Sequence, residues 1–306
     1  MGRGLGLVLL LGLVGCVDVV GPWEPGPNPP PSYALVYEGR PDGAPELLRI
    51  ALDGASGPTR ILPVGTIGRA PTVSPDGKWI AFVAWDGEGI SHIYRVRRDG
   101  TGLSMLTDSG EDDDQPSWSP DGSRIAFRSF RAQAGGEIWV MQADGRSARR
   151  VAGSDPGTGI DHGRPAWSPD GQRLAFTSDR GGDYGIWTVR VDGTDLHQLT
   201  NTPDYDTEPN WSPDGQTIAF RRSWPQTGSD IWFIPAQGGV AWPLVMLGEQ
   251  RMPVWSPDGT RIAFVTYDAP FSTGRIATMR PDGRDVVLHT ADGRWGGIAP
   301  AWQRLE

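Results

Sequence analysis

The sequence has one cysteine, Cys16, and one lysine, Lys78, among its 306 residues. A lone cysteine excludes an intramolecular disulfide framework and any cysteine-rich zinc site. Positive charge is scarce, with 28 Lys and Arg against 37 Asp and Glu and a formal net charge of −9. That balance excludes a dominant basic patch, and with it nucleic-acid binding or electrostatic docking on anionic lipid. Histidine is limited to His92, His162, His197 and His289. His92 and His197 fall on or beside repeated strands and read as surface positions. No Gly-x-Ser-x-Gly elbow, His-Glu-x-x-His pair or phosphate-binding glycine loop occurs, so no enzyme activity and no cofactor is expected. Long apolar runs are missing as well. The longest, Leu5 to Val14, is about half of the ~20 residues that a bilayer span needs.

What is present is glycine (43), proline (28) and tryptophan (14), with a hydrophobic fraction of 38% that is enough for a core. The first 31 residues read as a leader and a spacer. Arg3 precedes the apolar run, which has the length of a signal-peptide h-region. Leu13-Val14-Gly15-Cys16 resembles the bacterial lipobox. The resemblance implies cleavage before Cys16 by signal peptidase II and a diacylglyceride on Cys16, so that the chain is anchored to a membrane, not spanning it. Residues 16–31 are rich in proline and read as an extended tether.

The rest, residues 32–306, is one repeated unit. Ser-Pro-Asp-Gly occurs at 74–77, 119–122, 168–171, 212–215 and 256–259, at spacings of 45, 49, 44 and 44 residues. A Pro-x-Trp triplet precedes four of these copies, as in Pro116-Ser-Trp118, and an Ile/Leu-Ala-Phe triplet follows all five. A second apolar strand comes later in each unit (Ile93-Tyr94, Ile138-Trp139, Ile186-Trp187, Ile231-Trp232), and Asp-Gly turns follow at Asp99, Asp144, Asp192 and Asp282. Four short strands per period of ~40–50 residues indicate an all-β, six-bladed propeller. Residues 33–62 supply a first blade without its innermost strand. Pro300-Ala-Trp302 supplies an innermost strand with no blade after it, so the C-terminal strand is expected to join the N-terminal blade and close the ring.

This repeat resembles the TolB-type propeller family. The resemblance covers residues 33–302 and implies six blades, a place in the bacterial cell envelope and protein binding. Members of that family carry an α/β domain before the propeller, where here only the tether is expected.

Within each unit, Ser-Pro-Asp-Gly reads as turn chemistry and not as a ring of metal ligands: proline presets φ, aspartate caps the turn and glycine takes positive φ. The Trp residues at 118, 167, 211, 255 and 302, with 139, 187 and 232, read as blade packing. Strand order puts these tight turns on one face, here called the bottom, and the irregular loops on the top, where binding is expected. The top loops hold the off-frame aromatics Trp85, Phe130, Tyr184, Tyr205, Trp224, Tyr267, Phe271 and Trp295. Asp113, His162, Asp206 and Gln250 each stand three residues before their blade's proline and read as a polar collar at the channel mouth. The alternative, that they hydrogen-bond loop backbone, stays open. Asp113 and Asp206 offer hard oxygen ligands but fall on non-adjacent blades, so no metal site is expected.

The resulting expectation is a monomeric, lipid-anchored envelope propeller. It would bind a protein partner through Trp85, Asp113, His162, Tyr205, Asp206, Trp224, Gln250 and Trp295, with no nucleic acid and with membrane contact through the anchor only. The alternative is a glycan-binding or glycan-cleaving propeller that uses the same aromatics with a carboxylate pair.

Overall fold

A computed structural model describes residues 33–53, 56–131, 135–153, 158–224, 228–244, 246, 248–267, 273–290 and 297–305. Cys16, the tether, Phe271 and Trp295 lie outside the described residues. The first blade contains β1 (Tyr33–Gly39), β2 (Glu46–Ala51) and β3 (Thr59–Arg60). The second is β4 (Arg69–Val73), β5 (Trp79–Trp85), β6 (Ser91–Arg97) and β7 (Ser104–Met105), and the third β8 (Asp113–Trp118), β9 (Arg124–Ser129), β10 (Glu137–Gln142) and β11 (Arg149–Ala152). The fourth is β12 (His162–Trp167), β13 (Arg173–Ser178), β14 (Gly185–Arg190) and β15 (His197–Gln198). The fifth is β16 (Tyr205–Trp211), β17 (Thr217–Trp224), β18 (Gly228–Pro235) and β19 (Trp242–Leu244). The sixth is β20 (Glu249–Trp255), β21 (Ile262–Tyr267), β22 (Arg275–Met279) and β23 (Val287–Leu288), followed by β24 (Gly297–Arg304). Among the described residues these strands form six antiparallel four-stranded sheets, and β24 pairs with β1 to complete the first blade and close the ring.

The Ser-Pro-Asp-Gly turn has the same geometry in every copy. In the third blade, the Ser119 hydroxyl donates to Asp121 Oδ1 at 2.5 Å, and that oxygen also accepts from the Ser123 amide at 3.0 Å. The Arg124 amide donates back to Ser119 Oγ at 2.9 Å. Gly122 sits at φ 70°, a region closed to most side chains. These donors, the Ser119 hydroxyl foremost, pull the Asp121 carboxyl down to about 2. The aspartate is thus committed to its own turn, which makes the tight bottom connections.

The Ile/Leu-Ala-Phe triplets fill the core. Phe82, Phe127, Phe176, Phe220 and Phe264 are all buried on the second strands of their blades, and Tyr37 takes the same place in the first. Burying each such side chain contributes about 1.5–3 kcal/mol. The inner-strand tryptophans pack between neighbouring blades. Trp211, for example, joins Ala166, Ala175 and Ile186 of the fourth blade to Ile218 and Phe220 of the fifth. Two of these indoles also tie blades together: Trp167 Nε1 donates to Ser117 O at 3.0 Å, and Trp302 Nε1 to Val254 O at 2.9 Å. Most outermost strands are only two to four residues long, which limits edge-to-edge pairing with other chains.

Candidate functional site

Each innermost strand is broken at its proline. The register shifts between Arg69 and Thr72, Asp114 and Ser117, Gly163 and Ala166, Thr207 and Asn210, and Arg251 and Val254. Proline lacks the N–H that the ladder needs there, so the strand bulges. The residue before each proline (Ala70, Gln115, Arg164, Glu208, Met252 and Ala299) stands at φ between 46° and 60°. Non-glycine residues seldom adopt this backbone. The six bulges line a central channel of about 170 Å³. Around it, side chains reach from one blade to the next. Gln115 Oε1 accepts from the Arg164 amide at 2.6 Å, Glu208 Oε2 from the Met252 amide at 2.7 Å, and Met252 Sδ from the Ala299 amide at 3.1 Å.

At and just above the bulges lies a ring of arginines paired to acids. Arg69 Nε stands 3.8 Å from Glu38, Arg128 Nη2 2.8 Å from Asp161, Arg164 Nη2 3.9 Å from Glu208, and Arg221 Nη2 3.8 Å from Glu249. Every one of these pairs bridges two successive blades. Two ring arginines and the neighbouring Arg251 also lie over aromatic side chains of the top loops: Arg69 over Trp85 at 5.0 Å, Arg128 over Phe130 at 4.3 Å, and Arg251 over Tyr267 at 5.0 Å. Burial lifts the Glu38 carboxyl and lowers Arg221 from its ordinary value. Burial pushes the Asp114 carboxyl up to about 6, against the opposing pull of Arg128 and Arg164. The mouth therefore presents alternating charge with an aromatic rim.

The residues singled out from sequence divide between this rim and the blade interior. Trp85 and Tyr205 are exposed at 38% and 41%, and Tyr205 stands edge-on to Tyr184 at 6.1 Å. Trp224 is half-buried, edge-on to Trp232 at 6.4 Å. Asp113, His162, Asp206 and Gln250 do not form an open collar, because all four are buried. Each lies opposite a residue of its blade's second strand (Ser129, Ser178, Arg222 and Thr266 in turn), and the local partners draw the side chains inward. Asp113 pairs with Arg131 at 2.9 Å, and Asp206 accepts two bonds from Arg222, both at 2.7 Å. His162 Nδ1 lies 2.8 Å from Ser178 Oγ, and burial lowers its pKa. Gln250 Nε2 donates to Gly248 O at 2.7 Å, a loop-backbone bond of the kind the alternative reading describes.

His92 also departs from the surface reading. It is buried, with Nε2 3.1 Å from Asp86 Oδ2, while His197 is exposed as expected. Among the described residues, no group of three or more His, Cys, Asp or Glu side chains could hold a metal ion. The sequence reading missed the six pre-proline residues and the arginine ring. A partial signal exists for the ring, since Arg128 and Arg221 directly follow Ile-Ala-Phe in their blades.

A family model described as the TolB beta propeller domain matches residues 116–300. The chain belongs to the TolB β-propeller family. Solved structures agree on the fold. This TolB-family chain is similar to TolB from Acinetobacter baumannii, at 23% identity and TM-score 0.72 over 90% of this chain and 68% of that one. It is also similar to a putative TolB from Agrobacterium tumefaciens, at 20% identity and TM-score 0.70 over 90% and 98%. A puromycin-hydrolysing peptidase from Mycobacterium tuberculosis shares the propeller at 18% identity and TM-score 0.59, with 81% of this chain matching 41% of that one. No curated protein matches the sequence.

Proposed function

We propose that this TolB-family propeller is a non-enzymatic envelope protein, lipid-anchored through Cys16, that binds a protein partner with its top face. The observation that carries this reading is the mouth itself. Exposed Trp85 and Tyr205 flank a ring of inter-blade ion pairs around a channel that has room for one partner side chain and its water. Exposed aromatics beside paired charge suit the centre of a protein interface. Asp113 and Asp206, the carboxylates that a glycan-cleaving site would use, are each bound to an arginine inside a blade, which favours binding over turnover.

The exit of the chain fits the anchored reading. Tyr33, the first described residue, opens β1 at the bottom, opposite Arg304 of β24, on the face away from the proposed partner surface. The membrane-proximal bottom would then leave the top face open to solvent.

The test is a crosslinking capture from envelope extract with the mature chain and a variant carrying W85A, Y205A and W224A. One defined adduct, held by the wild type and lost by the variant, is the expected result. Equal capture by both would overturn the top-face assignment. Labelling with radioactive palmitate, with C16A as the control, tests the anchor independently.

A further inference from the structure

The bottom face has grooves between adjacent blades, floored by the inner-strand tryptophans, and two neighbouring grooves differ in one respect. Between the third and fourth blades, Arg124 crosses over. Its guanidinium lies above the Trp167 ring at 4.7 Å, and its Nη2 donates to Gly171 O at 3.1 Å. The repeat places Arg173, Trp211 and Gly215 in the same relation between the fourth and fifth blades. There the arginine does not cross. Arg173 Nη1 donates to Asp195 Oδ2 at 2.5 Å, and Nη2 reaches Asp195 O at 3.1 Å and Thr188 Oγ1 at 3.3 Å. Among the described residues no guanidinium lies over Trp211, and the groove holds about 430 Å³, within the range of small-ligand sites.

We propose that this groove between the fourth and fifth blades is a binding site for a guanidinium group brought from outside, the arginine side chain of a partner polypeptide. The neighbouring groove shows the pose within the same molecule: a flat cation over the tryptophan, donating to the glycine carbonyl of the Ser-Pro-Asp-Gly turn. The charge agrees. Asp170, Asp195 and Asp214 line the groove against the one guanidinium of Arg173. The Ser168 and Ser212 hydroxyls hold Asp170 and Asp214 below the usual carboxylate range, so both are ionised at neutral pH. An anion is repelled there. A planar cation gains charge-assisted hydrogen bonds and a ring contact. The site lies on the opposite face from the proposed partner surface and does not depend on it.

The test is a titration of the full-length, 15N-labelled chain with N-acetyl-arginine amide, with the neutral isostere N-acetyl-citrulline amide as comparator. The arginine probe is expected to shift the Gly215 and Gln216 amides with a Kd of about 1–10 mM, and the citrulline probe to leave them unmoved. D195G frees Arg173 to cross as Arg124 does, and binding is expected to weaken about tenfold. Glycine is used because Asp195 stands at φ 54° and is exposed, so the variant folds without strain. R124A empties the neighbouring groove, and a second site is expected at Gly171 and Gln172. Unmoved Gly215 and Gln216 signals, equal shifts from both probes, or an R124A variant with no second site would each overturn the proposal.

Discussion

Arg222→Met tests whether the residues behind the mouth act as buried structural partners. Asp206 is buried and receives both Nε and Nη2 of Arg222 at 2.7 Å, while Asp204 Oδ2 stands 3.9 Å from the same Nε. Among the described residues, removing the guanidinium leaves Asp206 with only the Thr202 hydroxyl, at 3.4 Å, and takes from Asp204 the cation 3.9 Å away. Stripping one partner from a buried pair costs about 3–5 kcal/mol. Methionine keeps most of the aliphatic packing but loses the cation above Trp232, at 4.2 Å, for about 1 kcal/mol within that total. Asp206→Asn is milder, because Arg222 keeps Asp204, and is expected to cost about 1–2 kcal/mol. The double variant is expected to recover about 2 kcal/mol relative to the sum of the singles. Urea unfolding followed by tryptophan fluorescence reads these values. With m near ~3 kcal/mol/M, Arg222→Met moves the midpoint by about 1 M or more. A cost under about 1 kcal/mol for Arg222→Met, or a larger cost for Asp206→Asn, would refute the reasoning.

Other outcomes follow from the same geometry. His289 is held at about 4 by burial, with Nε2 2.9 Å from Thr278 Oγ1, so the unfolded chain binds the proton first and stability falls as pH drops from about 6.5 to 4, by about 3 kcal/mol. His289→Gln is expected to flatten the acid limb of the stability profile. Asp114, pushed up to about 6, has the opposite sign, because its folded form binds the proton more tightly and its contribution falls as pH rises through that range. Asp114→Asn is therefore expected to steepen the acid limb and to raise stability above pH 6. Asp121→Ala is expected to cost about 1 kcal/mol in thermal unfolding by removing the acceptor of its turn, with no dependence on chelators.

The blades were legible in the sequence because their packing demands repeat. The triplet ending in Phe127 must fill one core position in every blade, and the turn around Asp121 needs the same three residue types each time. Ring closure by Trp302 was legible for the same reason, as a frame position without its blade. The channel lining was not, since the backbone bulge fixes only the proline. The residue before it faces the axis and varies freely from Ala70 through Arg164 and Glu208 to Met252. Burial of Asp113, Asp206 and His92 was hidden for another reason. A polar side chain reads as exposed until its partner is known, and Arg131, Arg222 and Asp86 reach these residues only through the pairing of strands and hairpin loops.

The central claim, that the top face receives a protein partner, is tested most directly by photo-crosslinking in the intact envelope. A benzophenone side chain placed at Glu88 or Asp183, exposed on top hairpins of the second and fourth blades, is compared with one at Thr101, exposed on a bottom turn of the second blade and away from the groove between the fourth and fifth. The account predicts one protein adduct from the top positions, lost when Trp85 and Tyr205 are changed to alanine. Adducts from Thr101 only, or equally from Thr101 and the top positions, would contradict it.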